Sequence, residues 1–158
     1  EKLSNKDLDF AKTKLKNEQE KVEIILKNFN SEVLQKEIKS IEDVKVKDFN
    51  LLIIPGGVKS MEKVRQNKKI INFISEFNDN KKTIGCICSG VQLLISAKVV
   101  KNRKISGYYA LEDDITNAGA TYTDLPAVID DNIVTTAHYK DLGPWMKEVL
   151  KNFYSKNN

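Results

Sequence analysis

A chain of 158 residues, 41% hydrophobic and 30% charged, is long enough to bury a core and too apolar to be disordered throughout. The net charge of +4 comes from lysines interleaved with acids, as in Lys14, Lys16, Glu18, Glu20 and Lys21. That mixing marks a solvated face and argues against nucleic acid as a partner. No apolar run nears the roughly 18 residues of a membrane span, and Glu1-Lys2-Leu3-Ser4-Asn5-Lys6 holds no signal-peptide core, so no membrane partner is expected. Two cysteines, Cys86 and Cys88, are too few and too close for a disulfide framework. Side chains two apart on a strand share a face, but their Cα atoms are held about 6.7 Å apart, at the limit of disulfide geometry, so a bridge between them would be strained, and free thiols imply a reducing, cytoplasmic location.

In chain order, Ser4 or Asn5 caps a helix with Leu8, Ala11 and Leu15 on one face. Residues 22–26 read as a strand, and Phe29-Asn30-Ser31 turns the chain into a short second strand at Val33-Leu34. Residues 50–54 are a continuous apolar run, the pattern of a strand buried on both faces, and it stops at Pro55-Gly56-Gly57. A helix is predicted over about 67–77, with Ile70, Ile71, Phe73, Ile74 and Phe77 as its buried stripe. Residues 83–87 form another buried strand that leads without a spacer into a helix over 90–97. Glu112, Asp113 and Asp114 suit the first turn of a helix that runs to Ala118 and is ended by Gly119. Residues 127–129 and 133–136 pair as a hairpin across 130–132, and a last helix spans 145–153. Strands alternating with helices predict an α/β domain whose mainly parallel sheet is covered on both faces, with ligands at the carboxyl ends of the strands.

Two segments end at that edge with unusual residues. Glycines in Pro55-Gly56-Gly57 permit close backbone approach and a positive φ. Cys88-Ser89-Gly90 is wedged between a buried strand and a helix start, where a nucleophile is exposed beside backbone N–H groups and the helix field favours a thiolate. The spacing Cys86-x-Cys88-x-Gly90 is related to the G-x-S-x-G elbow. A buried core thiol is the alternative for Cys88, and Cys86, inside the strand, reads as packing. A zinc site from Cys86, Cys88 and His138 lacks a fourth soft ligand, so neither a metal nor a cofactor is expected.

Three stretches together resemble the ThiJ/PfpI family: Leu51-Leu52-Ile53-Ile54-Pro55-Gly56-Gly57, Ile84-Gly85-Cys86-Ile87-Cys88-Ser89-Gly90-Val91-Gln92-Leu93-Leu94, and Asp113-Asp114-Ile115-Thr116-Asn117-Ala118-Gly119-Ala120. Asn132-Ile133-Val134-Thr135-Thr136 and Asp141-Leu142-Gly143-Pro144-Trp145-Met146 are similar to its PfpI branch. The resemblance implies a flavodoxin-like three-layer sandwich of the class I glutamine amidotransferase-like kind, with a nucleophile elbow at Cys88. It implies one domain over 1–158 whose first strand should precede Glu1. It places the functional cysteine on Cys88 and the acid that bonds its thiolate on Asp7, which otherwise reads as an N-terminal helix carboxylate. Glu1 is a second candidate for that acid. Glu62 matches an acid that PfpI-type assemblies place across a subunit contact, and a homodimer or larger homo-oligomer is implied.

Two positions depart from the pattern. Ser89 stands where the PfpI proteases carry His, which disfavours a peptidase with an adjacent Cys-His pair. His138 falls in a loop where the family often carries Arg, either as a substitute base at the carboxyl edge or as a solvent-facing side chain. Two functions remain open. One is a glyoxalase or deglycase type of hydrolase in which Cys88 attacks a small carbonyl, Asp7 moves a proton, and the Gly57 and Ser89 N–H groups hold the oxyanion. The other is a stress protein without turnover, such as a redox sensor or chaperone, in which an oxidant modifies Cys88. The enzyme is the expectation adopted.

Overall fold

The computed structural model describes residues 39–157. The helix predicted before residue 16, the strands at 22–26 and 33–34, and Asp7 lie outside the described residues. A compact unit begins at Ile41.

The apolar run becomes strand β1 (Leu51–Ile54), and the second becomes β2 (Thr83–Ile87), every residue of which is buried. They pair in parallel, with Leu51 opposite Thr83 and Ile54 opposite Cys86. The hairpin forms as expected from β5 (Val128–Asp130) and β6 (Ile133–Thr136), antiparallel to each other, while β6 adds in parallel to β2. The four-stranded order is therefore β1-β2-β6-β5, a mainly parallel sheet. Parallel neighbours bring the ends of β1, β2 and β6 to one edge, because Ile54 faces Cys86 and Ile87 faces Thr136 across the ladders.

Helices cover both faces. Helix α1 (Val58–Val64) follows β1, and α2 (Lys68–Asp79) begins where the Asn67 side chain accepts the Lys69 N–H at 2.9 Å. Helix α3 (Val91–Ser96) follows β2 after one turn of 3-10 helix, Cys88–Gly90. On this face Ile74 and Phe77 of α2 and Val91 and Leu94 of α3 close over Ile54, Ile84, Cys86 and Ile133. The opposite face carries Ile87 and Val134 under Trp145 and Val149 of the last helix, here α5 (Leu142–Asn157). Trp145 Nε1 donates to the Val134 carbonyl at 3.0 Å, so its polar end is satisfied in the core. No helix among the described residues is long and apolar enough to cross a membrane.

Among the described residues the predicted elements hold, with three corrections. The last helix is not confined to 145–153: it starts at Leu142, since Gly143 and Pro144 fit a first turn whose N–H groups need no internal partner. Helix α1 has no strong periodic stripe, burying only Met61, and was not anticipated. Strands β3 (Lys104–Ile105) and β4 (Thr121–Tyr122) form a separate two-stranded parallel sheet, too short for a sequence period to show. Between them lies α4 (Glu112–Asn117), with its three acids in the first turn and Gly119 at φ 83 just past its end, as expected.

The β5–β6 turn is tied down by charge. The Asp131 carboxylate accepts from Lys81 Nζ at 2.8 Å and from Lys156 Nζ at 2.9 Å, and these bonds hold its pKa down to about 2. A carboxyl with a lower pKa folded than unfolded stabilises the fold above its unfolded value, and the benefit is lost as pH falls through the folded value. The groups are partly exposed and screened, so the pairs contribute about 1 kcal/mol at most. Asp131→Asn is expected to lower the urea-unfolding midpoint near neutral pH. The difference from wild type should vanish as pH falls toward about 2. A difference constant with pH would remove the ion pairs as its cause.

Candidate active site

The site grows from one backbone conformation. Strand β2 runs into α3 with no loop, so the chain must reverse within a residue. Cys88 does this at φ 59, a left-handed conformation that is unfavourable for a residue with a Cβ. The elbow turns its side chain out of the strand, and Cys88 is half-buried while Cys86 is 1% exposed. Burial, and then the neighbouring Cys88, push the Cys86 thiol well above the ordinary range, so it stays protonated and packs as expected.

The β1–α1 turn lies directly on this elbow. A Cβ on Gly90 would stand 2.7 Å from the Pro55 carbonyl oxygen, and one on Gly56 would stand 2.9 Å from Cys88 Cβ and 3.3 Å from its Sγ. Glycine is required at both positions by approach. At Gly57 it is required by conformation, at φ 116. The Gly57 N–H, expected to serve a developing oxyanion, instead donates to Ser89 Oγ at 2.8 Å. The side chain at position 89, which sequence reasoning treated only as a missing base, therefore already occupies that donor.

His138 follows the carboxyl end of β6, next along the edge from the elbow. Its Nδ1 accepts the Lys140 N–H at 3.2 Å as the cap of a 3-10 turn. Its Nδ1 lone pair is thus engaged by that N–H, which argues against a role for it as the base at the edge. Glu62 sits on the exposed side of α1.

Sequence reasoning missed Tyr108. Its backbone N–H donates to the Cys88 carbonyl at 3.2 Å, and its hydroxyl donates to the Tyr109 oxygen at 2.9 Å. That hydrogen bond is the main reason its phenol lies above the usual range, with Cys88 a lesser influence. The segment reaches Cys88 from beyond β3, so no local signal linked the two. Thr136 Oγ1, on the residue opposite Ile87, and Ser106 Oγ are buried hydroxyls without a hydrogen-bond partner among the described residues. Among the described residues no three His, Cys, Asp or Glu side chains gather as metal ligands.

A mainly parallel sheet covered by helices on both faces, with a cysteine on a left-handed strand-to-helix elbow, defines a flavodoxin-like α/β domain of the elbow-cysteine class. The DJ-1/PfpI family model matches residues 14–152, and the chain belongs to that family. It is 38% identical over 112 residues to the deglycase PfpI of Pyrococcus furiosus, covering 71% of this chain and 67% of that protein. It is 38% identical to general stress protein 18 of Bacillus subtilis (70% and 64% covered) and 36% identical to protein/nucleic acid deglycase 2 of Escherichia coli (72% and 66%). The chain spans about two thirds of the length of these curated relatives. Among solved structures, a two-domain protein of Anabaena variabilis with DJ-1/ThiJ/PfpI-like and ferritin-like domains matches at TM-score 0.68 and 29% identity, covering 70% of this chain and 32% of that one. Schizosaccharomyces pombe DJ-1, at 24% identity and TM-score 0.63, shares the fold over 76% of this chain and 66% of its own.

Proposed function

We propose that this protein is a cysteine-dependent hydrolase of glyoxalase or deglycase type, in which the Cys88 thiolate adds to the carbonyl carbon of a small aldehyde or an early sugar adduct. The observation that carries the reading is Cys88 held at φ 59 and half-buried, with the Gly56 backbone packed so close that a Cβ there would stand 3.3 Å from its Sγ. Strain of this kind persists where the surrounding structure over-determines it, and it presents the sulfur to solvent. The alkoxide formed on addition is held by the Ser89 N–H at the start of the elbow turn. Asp7, outside the described residues, is the proposed proton shuttle, since the His138 lone pair is already engaged. Relatives named as deglycases support the substrate class. The proposal includes a cytoplasmic homodimer or larger assembly, with Glu62 at a contact between copies.

The test is lactate formation from methylglyoxal by the full-length protein before and after iodoacetamide blocks its thiols. Turnover is expected before the block and not after it. An alkylated protein as active as the untreated one would sink the proposal. A second reading, Cys88 as a peroxide sensor, is favoured by the engaged His138 nitrogen and by the relative named as a general stress protein. It predicts no lactate, and a reversible oxygen adduct on Cys88 seen by mass spectrometry.

A further inference from the structure

We infer that the Ser89 side chain is a positioning residue for Cys88: its hydroxyl fixes the Gly56-Gly57 turn over the thiol and keeps the Gly57 N–H from serving as a donor to an anion there. Three contacts join the turn to the elbow. Gly90 lies under the Pro55 carbonyl, Gly56 lies against Cys88, and the Gly57 N–H reaches Ser89 Oγ at 2.8 Å. The first two are van der Waals approaches, which limit distance and leave direction free. Only the third is directional.

Direction matters at Gly57. At φ 116 it precedes α1 and has no side chain to cap the helix, so local helix geometry does not aim its N–H. The acceptor is 1% exposed, so water does not compete for the bond. Among the described residues, Cys88 acts electrostatically on Cys86 beneath the elbow and on Tyr108 across it, and Ser89 bonds neither. Glu62 lies farther along α1, and His138 after β6 is held by its own turn. Removing the hydroxyl frees the N–H of Gly57, an exposed residue next to the Gly56 that packs on Cys88. The anion on the elbow beneath this turn is the thiolate, and a hydrogen bond to a charged form favours that form.

The inference does not depend on carbonyl chemistry, because alkylation reads the thiolate without turnover. The experiment is the pH profile of Cys88 alkylation by iodoacetamide in the full-length protein and two variants. Ser89→Ala is expected to react about tenfold faster at mildly acid pH while reaching the wild-type plateau in alkali. Ser89→Thr keeps the hydroxyl and should follow the wild type. A Ser89→Ala profile that superimposes on wild type, or a Thr variant that behaves like Ala, overturns the inference. Should Ser89→Ala not fold, the wild type itself decides by NMR. The Gly57 amide resonance is expected to stay fixed while the Cys88 Cβ resonance titrates, and an amide that moves with the thiol overturns the inference.

Discussion

The Cys88→Ala protein is expected to lose at least about 10³-fold of its lactate formation from methylglyoxal while its unfolding midpoint stays near that of wild type. The loss follows from chemistry, since an alanine offers no atom to bond the carbonyl carbon and no second thiol can substitute. Cys86 is two residues away, but it is packed in the core with Ile54, Ile84 and Leu94, 1% exposed, and is kept protonated by burial. The stability should hold because Cys88 is only half-buried and because alanine keeps its Cβ. Cys86→Ala is the reciprocal control. It removes a buried sulfur from the core that holds Ile54, Ile84 and Leu94, and is expected to cost about 1–2 kcal/mol while leaving turnover per folded molecule intact. Equal activity in Cys88→Ala and wild type would move the chemistry elsewhere. Equal losses in both variants would mean that packing, not nucleophilicity, is being read.

Gly90→Ala is expected to be the most damaging single methyl in the described residues, at about 3 kcal/mol, or roughly 6–12 °C in Tm. The new Cβ would meet the Pro55 carbonyl oxygen at 2.7 Å, Ile54 Cγ2 at 3.0 Å and Cys86 Sγ at 3.1 Å. The nearest of these is backbone, held at the end of β1 by the parallel ladder to β2, so it cannot swing aside as a long side chain would. Relief must come from lifting the Pro55-Gly56-Gly57 turn off the elbow, which would also stretch the Gly57-to-Ser89 bond. Cys88 alkylation should therefore change along with stability. Gly143→Ala supplies the contrast. Nothing lies within 4 Å of its Cβ position, it sits in the first turn of α5, and alanine there should be neutral or stabilising by up to about 1 kcal/mol. Both variants can be compared by thermal unfolding. A Gly90→Ala midpoint equal to wild type would mean that the elbow and the turn are not in contact in solution.

Much of the fold was legible before any coordinates, for identifiable reasons. Buried parallel strands announce themselves as unbroken apolar runs, and residues 50–54 and 83–87 became β1 and β2 with a shift of one residue at most. The stripe of α2 spans about two turns, residues 70–77, behind a capping Asn67, and the β5–β6 hairpin has its turn at the break between two apolar segments. Helix α1 and the β3–β4 pair escaped because seven residues with one buried side chain, or two residues apiece, are too short to impose a period.

The site divides along the same line. The sequence by itself determined that Cys88 would stand at a strand-to-helix turn among small residues. A buried strand running into a helix without a spacer has no other way to reverse, and chain neighbours carry that information. It could not show which polar atom each donor would choose. Gly57 and Ser89 are 32 residues apart, Tyr108 is 20 beyond Cys88, and the His138 lone pair is taken by a turn whose form depends on where α5 begins. Those pairings were decided by the tertiary structure. Parallel strand register sets which loops share an edge, and a hydrogen bond is fixed by tenths of an ångström that no sequence spacing encodes.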